Sequence, residues 1–174
     1  MILSNGQHEM LTESRLTSTI PSQAITLTEP WASLVVLLLK RYETRGWPTR
    51  FRKTLFVHAA KGMPRYAREA VCTSPFLEDL TAAFHVDTAS QVLEVLDARR
   101  GHIIGQCEIR GCHRSEDVRG TLSDRECAYG DYSDDRYAFA IERAVAFDSF
   151  IPCRGMLGIW TVPADTLAAL QRAA

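Results

Sequence analysis

The segment from Thr28 to Lys53 constrains the fold most strongly, because its character changes abruptly from apolar to charged. Its apolar run, Leu34–Leu39, must be buried. Thr28 is a suitable N-cap, and the acid and the proline that follow it suit a first helical turn. The pattern therefore predicts a buried helix from Pro30 to Lys40.

The second half of this segment is basic and aromatic. Between Lys40 and Lys53 there is one acid, Glu43, and six basic residues: Lys40, Arg41, Arg45, Arg50, Arg52 and Lys53. A buried helix that ends in such a stretch would place charged groups at the mouth of a pocket. Any function of this segment would depend on this arrangement.

Length and composition limit the alternatives. A chain of 174 residues with 46% hydrophobic content is long enough for one domain with one substantial core. Its formal net charge is -1, so the chain as a whole has no basic field. A nucleic-acid binder of this kind would rely on a local patch, and its affinity would fall steeply with salt.

The lack of a recognisable targeting segment and the number of cysteines favour a cytoplasmic protein. The run Leu34–Leu39 is far shorter than the ~20 residues of a membrane-spanning helix, and the first residues do not resemble a signal peptide. The five cysteines are therefore expected to be reduced thiols, in agreement with their odd number. The oligomeric state is left open by the sequence.

Periodicity and turn residues predict a mixed set of elements. Strands are predicted at 24–27, 42–47, 54–59, 102–110, 137–147 and 156–162, and helices at 30–40, 64–71, 75–84, 88–100 and 164–172. Helix is an alternative at 137–147, and 115–135 is predicted to be a loop with at most one helical turn. Residues 1–22 are expected to form a flexible tail before a single domain at 23–174. Without a βαβ repeat or a Gly-rich phosphate motif, the pattern favours an α+β fold.

Several segments, taken in order, resemble a known family. PWASLV at 30–35, KRYETRGW at 40–47 and LFVHAAK at 55–61 resemble the opening of ASCH domains, which belong to the PUA-like superfamily. GDYSDDRYAF at 130–139 and RGMLGIW at 154–160 resemble that family's later motifs. The chain departs from the family pattern at Leu38, where glycine is usual, and at Lys53, where glycine often follows an arginine.

The resemblance implies both a fold and a range of functions. The fold would be a PUA-like, partly open β-barrel flanked by helices, with a cleft where the first helix meets the barrel and a helical insertion around residues 64–100. The superfamily is associated with RNA and with modified nucleobases, and some small ASCH proteins are amidohydrolases that act on acetylated cytidine. Those hydrolases carry a threonine three residues after the lysine, where this chain has Glu43.

Lys40 and Glu43 are the first candidate site residues. If the helix continued, these two residues would lie three positions apart on one face and could form a solvated ion pair. Alternatively, Lys40 would polarise a carbonyl group and the Glu43 carboxylate would accept a proton. On an extended strand, Arg45 would share a face with Glu43 and keep the carboxylate charged. Such a carboxylate could accept a hydrogen bond from the exocyclic amine of cytosine.

Four further residues complete the candidate site. Trp47 would either stack on a base or cover the core, and Arg50 would add charge. By resemblance, Arg136 and Tyr137 would line the cleft from the opposite wall; otherwise they would form a strand-edge salt bridge and a core aromatic. Trp31 and Trp160 are predicted to pack in the core.

No metal or other cofactor is predicted. The candidate ligands Cys107, Cys112, His113 and Cys127 lack the paired C-x2-C spacing of a zinc site. His58 lies on a buried strand, where a hydrogen-bonded core histidine is the first interpretation and a proton shuttle the second.

Three functional hypotheses follow. The first is a module that binds RNA or a nucleobase through Lys40, Glu43, Arg45, Trp47 and Arg50. The second is a metal-independent amidohydrolase of an N-acylated nucleoside such as N4-acetylcytidine, with Lys40 and Glu43 as catalytic residues. The third is a protein-interaction scaffold that has lost the pocket.

Overall fold

The computed structural model describes residues 20–173 and confirms the α+β class. The strands are β1 (Gln23–Leu27), β2 (Tyr42–Arg45), β3 (Thr54–Ala59), β4 (His102–Arg114), β5 (Tyr137–Pro152) and β6 (Ile159–Thr161). The helices are α1 (Trp31–Val36), α2 (Arg65–Val71), α3 (Phe76–Phe84), α4 (Ala89–Arg99), α5 (Ser115–Val118), α6 (Asp124–Ala128) and α7 (Ala164–Ala173).

The six strands form one sheet in the order β2-β5-β4-β3-β1-β6. β1 and β3 are parallel, and the other neighbouring pairs are antiparallel. Register shifts interrupt the long ladder between β4 and β5 at three places, and such irregularities bend strands. The result is a half-barrel that is open between its edge strands β2 and β6, as the resemblance implied.

Helix α1 is buried because both of its sides are covered. Val35 belongs to the core cluster inside the sheet, with Leu55 and Phe139. Leu34, the residue before it, belongs to a second cluster formed with α3 and α4, which includes Leu80 and Leu96. The predicted helical insertion, α2 to α4, therefore packs on the side of α1 that faces away from the sheet.

The predicted helix 30–40 is wrong in its second half, because α1 ends at Val36. Leu38 has φ +56°, in the left-handed region. The Leu38 backbone N–H donates to the Val35 carbonyl at 3.0 Å, and the Leu39 N–H donates to the Leu34 carbonyl at 2.9 Å. This is the hydrogen-bond pattern of a Schellman C-cap. Leucine takes the conformation for which glycine is favoured, at a cost of about 1 kcal/mol, and the chain turns before Lys40.

Other boundaries also differ from the prediction. The predicted loop 115–135 contains α5, a 3-10 turn at Arg119–Thr121 and α6; these elements are too short to show helical periodicity. The segment 137–147 is a strand and not a helix. β4 and β5 extend to Arg114 and Pro152, whereas β6 is shorter than the predicted strand.

The predicted tail, residues 1–22, falls mostly outside the described residues. Within the described part, the Ser22 carbonyl accepts a hydrogen bond from the Val162 backbone N–H at 2.9 Å, which joins the chain before β1 to the end of β6. No helix within residues 20–173 has both the length and the apolarity needed to cross a membrane.

Glu29 is a fully buried carboxyl group just before α1. Its Oε2 accepts from the Ser33 backbone N–H at 3.0 Å, and its Oε1 accepts from the Ser33 hydroxyl at 2.9 Å. Burial raises the pKa of Glu29 to about 7, although the hydrogen bonds from Ser33 and the charge of Arg99 oppose this shift. The protonated form is therefore favoured in the folded state over a pH range in which an unfolded glutamate is ionised.

This carboxyl group should make stability depend on pH. Because its pKa is raised on folding, its contribution is fully present below about pH 4.5 and is lost as the pH rises through about 7. The expected loss of unfolding free energy is up to about 3 kcal/mol. Urea unfolding of wild type and Glu29→Gln, repeated from pH 5 to pH 8, measures this loss. Glutamine keeps an acceptor for Ser33 but does not ionise, so the unfolding free energy of the variant should change less with pH. The same pH dependence in both proteins would contradict the raised pKa of Glu29.

Candidate functional site

A cleft of about 570 Å³ opens where β1, α1 and β2 meet the chain that follows α6. This volume is within the usual range for small-molecule sites. The lining comprises residues 26–28 at the end of β1, Trp31, Lys40, Glu43–Arg45 of β2, Tyr66 of α2, residues 128–131 and Arg136. The cleft therefore lies at the end of α1, where the resemblance implied it.

Lys40 lies at the base of this cleft and is only 1% exposed. Its Nζ donates to the Tyr129 carbonyl at 2.9 Å and lies 5.8 Å from the centre of the Tyr132 ring. Within residues 20–173, no carboxylate forms an ion pair with it. Burial lowers the pKa of Lys40, while the charges of Glu43 and Glu126 oppose this shift. An ammonium group has three donors, so Lys40 retains donors for a ligand.

Gly130 lets the backbone after α6 approach Lys40 closely. A Cβ atom at this position would lie 2.7 Å from the Tyr132 ring and 3.0 Å from Lys40 Nζ. Real Cβ atoms are essentially never found at the first of these distances. The glycine therefore allows the segment 128–131 to form one wall of the cleft.

Glu43 and Arg45 form an ion pair on another wall of the cleft. Arg45 Nε lies 3.1 Å from Glu43 Oε1; the Arg45 side chain is 28% exposed and the Glu43 side chain 12%. They share a face because they are two residues apart on β2. Arg45 Nη2 also donates to the Thr26 carbonyl at 2.9 Å, so its guanidinium group joins the edge strand β2 to β1.

Glu126 of α6 holds the segment that follows Lys40. Its carboxylate accepts from the backbone N–H groups of Arg41 and Tyr42, at 2.9 and 3.0 Å, and from the Tyr132 hydroxyl at 2.9 Å. This residue was not predicted, because it lies in the segment that was expected to be a loop. The available signal was the spacing from Ser123, the N-cap of α6, whose hydroxyl accepts from the Glu126 N–H at 3.2 Å.

The structure brings four of the seven predicted site residues to the cleft: Lys40, Glu43, Arg45 and Arg136. Lys40 and Glu43 reach it from a turn and a strand, and not from one helical face as first considered. Arg136 Nε donates to the Asp131 carbonyl at 3.1 Å and lies 3.3 Å from the Asp131 carboxylate.

Trp47, Arg50 and Tyr137 do not line the cleft. Because β2 ends at Arg45, Trp47 does not continue the face of Glu43, and it packs edge-on against Phe139 with ring centroids 5.1 Å apart. Arg50 is exposed elsewhere on the surface. The Tyr137 hydroxyl accepts from Arg114 Nη1 at 3.1 Å, and the Arg114 guanidinium lies 5.2 Å from the centre of its ring.

The aromatic side chains at the cleft are Trp31 and Tyr66. Their ring centroids are 6.1 Å apart with a tilt of 42°. Tyr66 is 62% exposed. The prediction that Trp31 packs in the core is correct for one side only: the ring contacts Phe76 edge-on at 6.0 Å, and the residue is half-buried and lines the cleft.

Cys107, Cys112 and His58 make structural contacts outside the cleft. Cys107 is buried in the sheet core, and Cys112 Sγ accepts from the Thr49 N–H at 3.4 Å. His58 Nε2 lies 3.0 Å from the Cys153 carbonyl oxygen, in hydrogen-bond contact. In the described part of the chain, no group of three or more His, Cys, Asp or Glu side chains is placed to hold a metal ion.

Comparison with known proteins gives the family. The model of the ASCH domain matches residues 25–148. Among solved structures, the ASCH protein of Zymomonas mobilis is 12% identical, with 86% of this chain and 93% of that chain covered and a TM-score of 0.49. Two point mutants of it are each 13% identical to this chain. For the tyrosine-to-phenylalanine mutant the TM-score is 0.49, with 86% of this chain and 96% of that chain covered. For the serine-to-alanine mutant the TM-score is 0.46, with 88% of this chain and 98% of that chain covered. No curated protein sequence matches. Because the family model covers most of the sequence, the chain belongs to the ASCH domain family.

Proposed function

We propose that the cleft binds a nucleobase, either of a nucleoside or of single-stranded RNA. The observation that carries this proposal is Lys40, a buried lysine at the base of an open cleft that has no carboxylate partner among the described residues. A buried charge without a partner is costly. A ligand that brings a hydrogen-bond acceptor to Lys40 would offset that cost.

The polar groups of the cleft complement the edge of a cytosine. Lys40 donates, whereas the Glu43 carboxylate accepts and is held by Arg45. Cytosine presents a carbonyl acceptor and an exocyclic amine that donates. The carbonyl of the base would accept from Lys40 and the amine would donate to Glu43.

The aromatic side chains supply a surface for the flat face of the base. Trp31 and the exposed Tyr66 line the same cleft. Stacking of a base on an aromatic side chain contributes about 1–3 kcal/mol. These two residues would take the role that the sequence analysis gave to Trp47.

Calorimetric titration with cytidine and uridine tests the proposal. Uridine carries an acceptor where cytidine carries the amine, so it would face the Glu43 carboxylate with an oxygen. We expect wild type to bind cytidine more tightly, and we expect Glu43→Gln to lose this preference because an amide can donate as well as accept. Exposed Glu94→Gln is the matched control. Absence of binding to either nucleoside and to single-stranded RNA would refute the proposal and favour the scaffold hypothesis.

A second function, amide hydrolysis, is favoured by the lowered pKa of Lys40 beside Glu43. Lys40 would donate to the acetyl oxygen of N4-acetylcytidine, and Glu43 would accept the proton of the attacking water. As the amide C–N bond breaks, Glu43 would pass this proton to the leaving nitrogen, which gives cytidine and acetic acid, and the acid ionises to acetate. Chromatography of the products tests this function. No turnover, or turnover that is undiminished in Lys40→Ala, would refute amide hydrolysis. Base binding is measured separately by the titration with cytidine.

A further inference from the structure

A second groove, with a volume of about 770 Å³, lies beside the cleft. It is formed by the end of β3, the turn between α4 and β4, and the chain between β5 and β6. Thr26 of β1 lines both cavities. Its carbonyl oxygen accepts from Arg45 in the cleft, and its hydroxyl accepts from Trp160 Nε1 at 3.0 Å. The two cavities are therefore adjacent, with this one residue in the wall of each.

The groove carries positive charge and has no acidic residue in its lining. Lys61 and Arg154 are exposed, and neither forms an ion pair with any residue of the described range 20–173. Arg100 also lines the groove, but its Nε lies 3.0 Å from an Asp97 carboxylate oxygen. Lys61 and Arg154 are therefore the cations available to an anionic ligand.

The position of Arg154 is fixed by its neighbours. A Cβ atom on Gly155 would lie 2.5 Å from the His58 ring and 2.8 Å from the Thr26 hydroxyl, so the backbone after Arg154 lies directly against β1 and β3. Cys153, the residue before Arg154, has its carbonyl oxygen in hydrogen-bond contact with His58 Nε2, at 3.0 Å. Both flanking residues thus hold Arg154 at the rim of the groove.

The same segment also exposes apolar surface. Met156 and Leu157 line the groove and are 47% and 98% exposed. Sites for single-stranded nucleic acid combine a positively charged groove that follows the backbone with side chains that contact the bases. Here Lys61 and Arg154 supply the charge, and Met156 and Leu157 supply apolar surface beside it. An acidic peptide with apolar residues would also suit these features, but it would have no reason to lie next to a cleft for a base.

We propose that this groove binds the phosphate backbone next to the base held in the cleft, through Lys61 and Arg154. The preferred ligand would then be an RNA oligonucleotide and not a free nucleoside. This inference rests on the proposed function, because the cleft fixes the base from which the backbone extends.

Fluorescence anisotropy with a labelled single-stranded RNA pentamer, measured across a salt series, tests the groove. In Lys61→Ala/Arg154→Ala we expect affinity to fall roughly tenfold at low salt, and the slope of log affinity against log salt to become shallower by about 1.4, which corresponds to two phosphate contacts on a single strand. Cytidine binding, followed by calorimetry, should be unchanged. The control variant is Lys53→Ala/Arg172→Ala, which removes one lysine and one arginine from exposed positions outside both cavities. Its affinities for the pentamer and for cytidine should equal those of wild type.

The outcomes separate the two proposals. If wild type binds cytidine but the groove variant binds the pentamer as tightly as the control variant does, the groove proposal is wrong and base binding is retained. If wild type binds neither ligand, the proposed function fails first. If a glutamate-rich peptide of equal length binds wild type more tightly than the RNA, and the groove variant loses that binding, the groove is a peptide site and the proposal is overturned.

Discussion

Replacing Lys40 by methionine is expected to weaken cytidine binding by about 10- to 100-fold, the equivalent of a charged hydrogen bond of about 1.5–3 kcal/mol. The reason is geometric. Lys40 lies at the base of the cleft, with one bond to the Tyr129 carbonyl and further donors available. Methionine is of similar length and removes these donors. Calorimetric titration of the variant with cytidine measures the effect.

The same substitution should not unfold the protein. It removes the desolvation cost of a charged group that is buried without a carboxylate partner in the described residues. This gain offsets the loss of the donor to the Tyr129 carbonyl, which costs about 1–3 kcal/mol. We therefore expect an unfolding temperature close to that of wild type. Lys53→Met, at an exposed position outside the cleft, is the matched control and should bind as wild type does. Unchanged cytidine binding in a folded Lys40→Met variant would remove the lysine from the site.

Replacing Glu126 by alanine is expected to lower the free energy of unfolding by about 3 kcal/mol or more. The substitution leaves three donors without their acceptor: the backbone N–H groups of Arg41 and Tyr42, and the Tyr132 hydroxyl. Part-buried donors without partners each cost about 1–3 kcal/mol. Urea unfolding measures this effect, and binding should weaken as well, because the segment after Lys40 loses its anchor.

Two further variants make the Glu126 result specific. Glu126→Gln should also be destabilised, because its amide nitrogen is a donor and one of the bound donors would then face it. Glu94→Ala removes an exposed glutamate from α4 and should change stability by less than about 0.5 kcal/mol. If Glu126→Ala and Glu94→Ala unfold at the same urea concentration, the anchoring role of Glu126 is wrong.

The fold class followed from features that depend on local sequence. The apolar run after Thr28 required burial, and the structure covers α1 on both sides, with the sheet and with the helical insertion. The end of the helix did not follow, because a left-handed conformation at Leu38 opposes the intrinsic preference of leucine. Tertiary contacts decide that turn, and with it the direction in which Lys40 points.

The candidate site was predictable only in part, for a similar reason. Glu43 and Arg45 share a face through the two-residue period of a strand, which is visible in the sequence. Trp47 departs from that face because β2 ends at Arg45. Tyr129 contacts Lys40, and Glu126 contacts the Arg41 backbone, from more than eighty residues away in the chain. No periodicity applies over such a separation.

The decisive measurement is a crystal structure of the protein with cytidine. We expect the base to lie in the cleft beside Trp31, with its carbonyl oxygen within hydrogen-bond distance of Lys40 Nζ and its amine directed at the Glu43 carboxylate. Cytidine bound elsewhere on the protein, or an empty cleft in crystals grown at saturating cytidine, would contradict it.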